Sequence, residues 1–255
     1  VIVSDRVIDA QNVSIAWADA VAVLLELGPP YRAVNLTIRI ADPRAEEEPI
    51  RELAERLAAN LGMQDIGEVA NTIFPAEWAK DFPDPGALSA DYREHYAFLR
   101  SLGNPQGTYF GRLVAYPDSD GGKTIDQLVD NITKLQAAKG RGRLYKSVYE
   151  FNIYSAARDR KKSRGFPCLA HIGLHIGADE RLNASALYRS HDVIAKGYGN
   201  YLGLGGLLGY IAEASEMEPG ELQVNAGGAF FEAAKAKQLA EIRAELEELR
   251  VPDQS

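Results

Sequence analysis

The chain has 255 residues, 46% of them hydrophobic and 25% charged, which is enough for one large domain with a substantial core over residues 1–255. Its net charge of -8 argues against a duplex-binding surface, because neutralising phosphates takes a basic stripe, so no nucleic-acid partner is expected. No run approaches the roughly 18 apolar residues of a membrane span, the start lacks a basic-then-apolar leader, and one cysteine excludes an internal disulfide framework. A soluble, cytoplasmic protein with no membrane partner is expected.

In chain order, residues 12–27 carry Ala and Leu at helical spacing and stop at Gly28-Pro29-Pro30. Residues 33–40 alternate Val34, Leu36, Ile38 and Ile40 with other side chains, as a half-buried strand does. Ile50, Leu53, Leu57 and Leu61 give residues 46–61 one apolar helical face, ending at Gly62. Phe82-Pro83-Asp84-Pro85-Gly86 predicts a loop, and residues 125–135 predict a helix on Ile125, Leu128, Ile132 and Leu135. Strands are predicted over 144–154, 169–176 and 184–188. Residues 200–217 follow as an apolar helix with Gly203, Gly205, Gly206 and Gly209, a composition that implies close backbone packing against something flat, such as a sheet. The last predicted element is a charged helix over 229–250, with Phe231, Leu239, Ile242, Leu246 and Leu249 on one face, able to pack on its own domain or to join subunits. Helices and strands in this irregular order predict an α+β fold, a large mixed sheet packed by helices, the glycine-rich one buried.

Several tempting motifs fail on spacing. The glycine cluster is not a dinucleotide fingerprint, because Leu208 stands where the third glycine of G-x-G-x-x-G belongs. His171 and His175 lie on a predicted strand, about 13 Å apart along it, too far for one ion, so no metal site is expected. Two basic groups, one of Lys139, Arg141 and Arg143 and one of Arg158, Arg160, Lys161, Lys162 and Arg164, read as solvated loops or as anion sites. Cys168 reads either as a small core side chain or as a nucleophile. What separates these readings is its company: Arg189-Ser190-His191-Asp192 and then Asn200 supply a planar cation and an amide beside the sulfur.

Those residues carry a family resemblance. Phe166-Pro167-Cys168, Tyr188-Arg189-Ser190-His191-Asp192 and the in-register Asn200 resemble the nucleophile and nucleotide-binding segments of the thymidylate synthase and deoxycytidylate hydroxymethylase superfamily. Glu218 to Leu222 resembles its following turn into a strand. Upstream, Arg51-Glu52-Leu53, Asn71-Thr72-Ile73-Phe74, Tyr109-Phe110-Gly111 through Ala115-Tyr116-Pro117, and Ile125-Asp126-Gln127-Leu128 resemble further family motifs in the family order. The likeness runs from Glu52 onward, with residues 1–50 divergent.

The resemblance implies a pyrimidine nucleotide C5 methyl- or hydroxymethyltransferase. Adding a thiolate at C6 turns the ring into an enolate-like species whose C5 attacks a one-carbon electrophile, and Cys168 is that thiolate. Arg189 and Ser190 hold the nucleotide phosphate. Asn200 accepts from N3–H and donates to O4, Asp192 supports the base-binding network, Glu52 organises water and protons, and Tyr109 assists proton removal from C5. Arg141 and Arg143 resemble arginines that reach the partner subunit's phosphate in a sheet-to-sheet homodimer. The substrate so implied is a pyrimidine nucleoside monophosphate, and the one-carbon donor is methylenetetrahydrofolate.

Departures from the family pattern keep a second reading open, a non-catalytic or regulatory nucleotide-binding protein. Leu169 replaces the histidine after the cysteine, and Phe230-Phe231-Glu232 replaces the His-x-Tyr pair that holds the sugar 3'-hydroxyl. Val114 and Phe74 replace an arginine and a folate-contacting tryptophan. The given sequence stops at Ser255 without the family's folate-closing tail, so closure is expected to come from elsewhere or to be absent.

Overall fold

The computed structural model describes residues 6–101, 104–117, 124–142, 144–232 and 244–249. The elements run β1 (Val7–Asn12), α1 (Val13–Leu27), β2 (Arg32–Asp42), α2 (Glu48–Asn60), α3 (Ile66–Ile73), α4 (Ala76–Asp81), α5 (Pro85–Ser101) and α6 (Tyr109–Val114). After these come β3 (Tyr116–Pro117), β4 (Thr124–Ile125), α7 (Gln127–Gly140), β5 (Tyr149–Asn152), α8 (Ala156–Asp159), β6 (Leu169–Ile176), β7 (Leu182–Tyr188) and β8 (His191–Asp192). A π-helical turn (Val193–Gly197) leads into α9 (Tyr198–Ala214) and β9 (Pro219–Phe230).

A seven-stranded mixed sheet organises the fold, in the order β1-β2-β9-β7-β6-β5 with β8 paired to β9. Period-2 patterning builds it. In β6, Ile172, Leu174 and Ile176 turn into the core while His171, Gly173 and His175 turn outward, and β9 buries Leu222, Val224 and Ala226 against outward Gln223 and Asn225. The outward face is polar: Thr37 donates to Asn225, Arg39 pairs with Asp9, and His171 Nε2 lies 2.8 Å from Glu150. That pair accounts for His171 without a metal.

On the inward face α1 is capped by Asn12, whose side chain accepts from the Ile15 amide at 3.0 Å, and buries Trp17, Val21 and Leu24. It ends at Gly28, whose φ of 66° falls in the left-handed region that favours glycine. In α9 the glycines have a definite use. A β-carbon on Gly199 would come within 2.6 Å of the Ile66 carbonyl oxygen, and one on Gly203 within 2.6 Å of that of Ala70, so α9 rides on the α3 backbone. The flat partner expected for this glycine stripe is therefore a helix at these two positions. Gly205 meets the Pro43 carbonyl, 1.9 Å from the same imagined atom. Gly205→Ala should lower the unfolding free energy by roughly 2 kcal/mol in urea titrations, because backbone has to move. Gly140→Ala, with nothing within 4 Å, should leave it unchanged or raise it slightly.

Several boundaries differ from the sequence reading. Pro85 and Gly86 open α5 instead of closing a loop, since proline fits the first helical turn. The strand expected over 144–154 is confined to Tyr149–Asn152. Ala229 and Phe230, expected in a terminal helix, complete β9 by pairing with Ala33 and Arg32. Phe231, which is buried, and Glu232 follow the strand outside any helix; residues 244–249 are helical, with Leu246 buried, and 233–243, including Leu239 and Ile242, lie outside the described residues. No described helix is long and apolar enough to cross a membrane.

Candidate functional site

A cavity of about 250 Å³ opens where the N-terminal ends of β6, α6 and α9 meet the β7–β8 turn, walled on another side by α3. Cys168, Ser190, Asp192, Asn200 and Tyr109 all line it. Five of the sequence-predicted site residues thus share one space.

Cys168 sits half-buried at the mouth of β6, held by its own carbonyl, which accepts from the Arg189 amide at 2.9 Å. The Arg189 guanidinium is anchored on the segment before the cysteine. Nε donates to Pro167 O at 2.9 Å, Nη2 to Phe166 O at 3.1 Å, and the group stacks 3.7 Å over the Phe166 ring. Nη2 lies 3.8 Å from Cys168 Sγ, so a positive charge stands beside the position a thiolate would occupy. Arg189 borders the sulfur rather than lining the cavity itself.

Asn200, on the first turn of α9, is only 4% exposed, and its amide has no hydrogen-bond partner among the described residues. An amide that faces a cavity is a group that a ligand can engage as both donor and acceptor. Ser190 borders the same space, and Asp192 caps the π turn by accepting from the Ala195 amide at 3.0 Å. The Tyr109 hydroxyl lies against the backbone amides of Cys168 and Leu169. Burial, with the sulfur beside it, pushes its pKa up to about 12, so it stays protonated near neutral pH.

The cavity wall also holds residues that the sequence reading did not single out as site residues. His191 is 1% exposed, and burial drops its pKa to about 4, so the ring is neutral. Its Nε2 lies 2.9 Å from the Tyr201 hydroxyl, which has no other partner among the described residues, and its Nδ1 has none. Donation from Tyr201 to Nε2 leaves one orphaned group, whereas the reverse leaves two. The proton therefore belongs on Nδ1. Tyr188, its ring 4.7 Å from that of His191, is fully buried with an unpartnered hydroxyl that burial holds protonated. Gln64, Thr72 and Asn104 reach the cavity from α3 and two loops, and Lys196 contributes a cation that contacts Gln64. Phe230 presents an apolar ring at the end of β9.

Glu52, expected as the catalytic carboxylate, is exposed on α2 and does not line the cavity. Helix phase is the reason: Ile50, Leu53, Ala54 and Leu57 take the buried face, and the charge network of that helix belongs to Arg51 with Glu46 and Glu55. Arg141 is also outside the cavity of its own chain. It caps α7 through Ala137 O at 3.1 Å, where Gln136 is tied to Ala214 at the far end of α9, roughly 20 Å along the helix from Asn200. Arg143 lies outside the described residues.

Beside this cavity is a second hollow of about 300 Å³, walled by Trp78, Tyr92, Leu99 and Pro75, which shares Thr72, Asn104 and Thr108 with the first. Among the described residues no cluster of three or more His, Cys, Asp or Glu side chains is arranged to hold a metal.

No family model and no curated protein matches the chain. Among solved structures it is similar to the crystal structure of thymidylate synthase from T4 phage, with a TM-score of 0.53 and 15% identity over 89% of this chain and 79% of that one. The fold is thymidylate synthase-like.

Proposed function

We propose that the protein binds a pyrimidine nucleoside monophosphate in the Cys168 cavity and adds the cysteine to C6 of the ring, the covalent step of a C5 methyl- or hydroxymethyltransferase. The observation that carries this reading is that a sulfur with a guanidinium nitrogen 3.8 Å away opens into the same space as the amide of Asn200, a residue only 4% exposed. Asn200 accepts from N3–H and donates to O4, so a ring lacking either group leaves buried polar atoms unpaired. Ser190 takes the phosphate from within the cavity, and the Arg189 guanidinium meets it at the cavity's edge, where it borders the sulfur. The thiol proton passes to solvent, the S–C6 bond forms, and the C5–C6 π electrons move toward C5 and O4. Protonation at C5 from solvent, loss of the original C5 hydrogen and expulsion of the thiolate then exchange that hydrogen without any second reactant.

Methylenetetrahydrofolate, the donor that the resemblance implies, carries an anionic carboxylate tail. The adjoining hollow is lined by Glu68 and Glu77 and by no lysine or arginine. The residues there do not suit that tail, and no step is derived through it. The outward polar face of the sheet, with no described helix assigned to it, supports a homodimer formed sheet to sheet, which sedimentation of the full chain would show directly.

The test is release of tritium from 5-tritiated UMP, dUMP, CMP and dCMP. Exchange is expected with at least one of them, and Cys168→Ser should abolish it while nucleotide-induced thermal stabilisation persists. Exchange that survives Cys168→Ser sinks the covalent reading. Stabilisation without exchange favours the second reading, a nucleotide-binding or regulatory protein, which the outward placement of Glu52 and the apolar Leu169 beside the cysteine support.

A further inference from the structure

On a chain of net charge -8, residues 158–164 set Arg158, Arg160, Lys161, Lys162 and Arg164 against one carboxylate, Asp159, whose side chain is buried and gripped by Arg112. All five basic residues are exposed. Lys162 lies 3.5 Å from Asp159, and Arg160 donates to the Ala156 carbonyl at 3.1 Å, whereas Arg158, Lys161 and Arg164 have no ion pair or hydrogen bond among the described residues. Cations at this density repel one another unless an anion lies among them. Two contacts hold the run at the rim of the Cys168 cavity. At its end the Phe166 ring lies 3.7 Å under the Arg189 guanidinium, and the Phe166 carbonyl accepts from Nη2 at 3.1 Å. Just before it Gly165 turns with φ at 70°, and a β-carbon there would stand 3.3 Å from the side chain of Gln106, in the loop whose Asn104 and Gly107 line the cavity. Arg164 is two residues from Phe166, so their Cα atoms lie within about 7 Å of each other.

We propose that the cavity takes a pyrimidine nucleoside di- or triphosphate, whose phosphates beyond the first lie on Arg158, Lys161 and Arg164. The ring and the first phosphate keep the partners already assigned, so the inference rests on the proposed nucleotide reading and lengthens the phosphate chain of the ligand named there. A cavity of about 250 Å³ is small for a ligand pocket, and a chain longer than one phosphate has to leave it over the rim. Its way out at the Arg189 edge leads onto Phe166 and the cationic run that precedes it. Each added phosphate brings negative charge and acceptor oxygens, which guanidinium and ammonium groups bind through charge-assisted hydrogen bonds. A monophosphate ends at Arg189 and Ser190 and leaves the three free cations unanswered.

Calorimetric titration of UMP, UDP and UTP, and of the matching cytidine nucleotides, into the full chain tests it. At physiological ionic strength the triphosphate of the preferred base should bind about tenfold tighter than its monophosphate, with the diphosphate between. The triple variant Arg158→Gln, Lys161→Gln, Arg164→Gln changes only exposed side chains without partners, so the fold is left alone. It should weaken the triphosphate about tenfold and the monophosphate by less than about threefold. A monophosphate that binds as tightly as its triphosphate, or a triple variant that keeps the parent's ranking, overturns this inference and leaves the nucleotide reading standing. Inorganic triphosphate that binds as tightly as UTP, or that binds unhindered beside UMP, would assign the run to a separate polyanion and also overturn it. Binding by none of the nucleotides sinks the nucleotide reading, and this inference with it.

Discussion

Replacing Arg112 with methionine should remove about 3–5 kcal/mol of stability at pH 7, measured by urea unfolding. The Arg112 guanidinium grips Asp159 with two bonds, Nη1 to Oδ2 at 2.6 Å and Nη2 to Oδ1 at 3.1 Å, and also donates to Ile153 O at 2.9 Å. The Asp159 side chain has no exposure and also accepts from the Ser155 amide at 3.0 Å. Burial pushes that carboxyl's pKa up, but the Arg112 and Ser155 bonds outweigh it and hold the value below its ordinary range. A carboxyl with a depressed folded pKa contributes stability above its unfolded pKa and loses it as pH falls through the folded one. In Arg112→Met burial wins, Asp159 takes its proton at a higher pH, and the deficit against the parent should shrink between pH 7 and pH 4. A deficit equal at both ends of that range would show that packing, not charge, is what Arg112 provides. Arg112→Lys should fall between, because an ammonium keeps the charge and loses the two-pronged geometry. The ion pair pins the segment that leads through Lys162 to Cys168, so the variant should also quicken alkylation of the cysteine.

His191 supplies the second large effect. The unfolded chain binds a proton at this ring near pH 6.5, and the folded chain not until about pH 4. Between those values the unfolded state holds more protons, so stability falls as pH falls, by roughly 3 kcal/mol across the whole window and by nothing further below it. His191→Gln should flatten that slope. Other groups titrate in the same range, so the informative quantity is the parent-minus-variant difference in unfolding free energy at pH 7.5 and pH 4.5. An identical slope in the variant would show that the ring is protonated in the fold without penalty.

The sequence was informative wherever function or patterning ran along the chain. β6 is found at its full bounds because Ile172, Leu174 and Ile176 alternate with outward residues, and α1, α2 and α9 are close to theirs. Cys168, Ser190, Asp192 and Asn200 were legible because they fall on two short segments whose ends the sheet brings together. Gln64, Thr72 and Asn104 were not, since nothing local marks a polar residue that reaches a cavity through the packing of α3 and two loops. Glu52 was placed by a motif and not by helix phase: Ile50, Leu53 and Leu57 take the buried face of α2, which leaves Glu52 exposed. Ala229 and Phe230 were expected in the terminal helix because Phe231 fits its apolar face, while pairing with β2 on one side and β7 and β8 on the other carries the strand on to Phe230.

The bare backbone of α9 at Gly199 and Gly203 also acts as a gauge. It sets how near α3 lies, and α3 carries Val69 and Thr72 on the cavity that Asn200 also lines, so the width of that cavity is fixed by two missing methyl groups. Related chains that carry alanine at those positions should hold their walls farther apart and accept bulkier rings, without a single change among the residues that touch them.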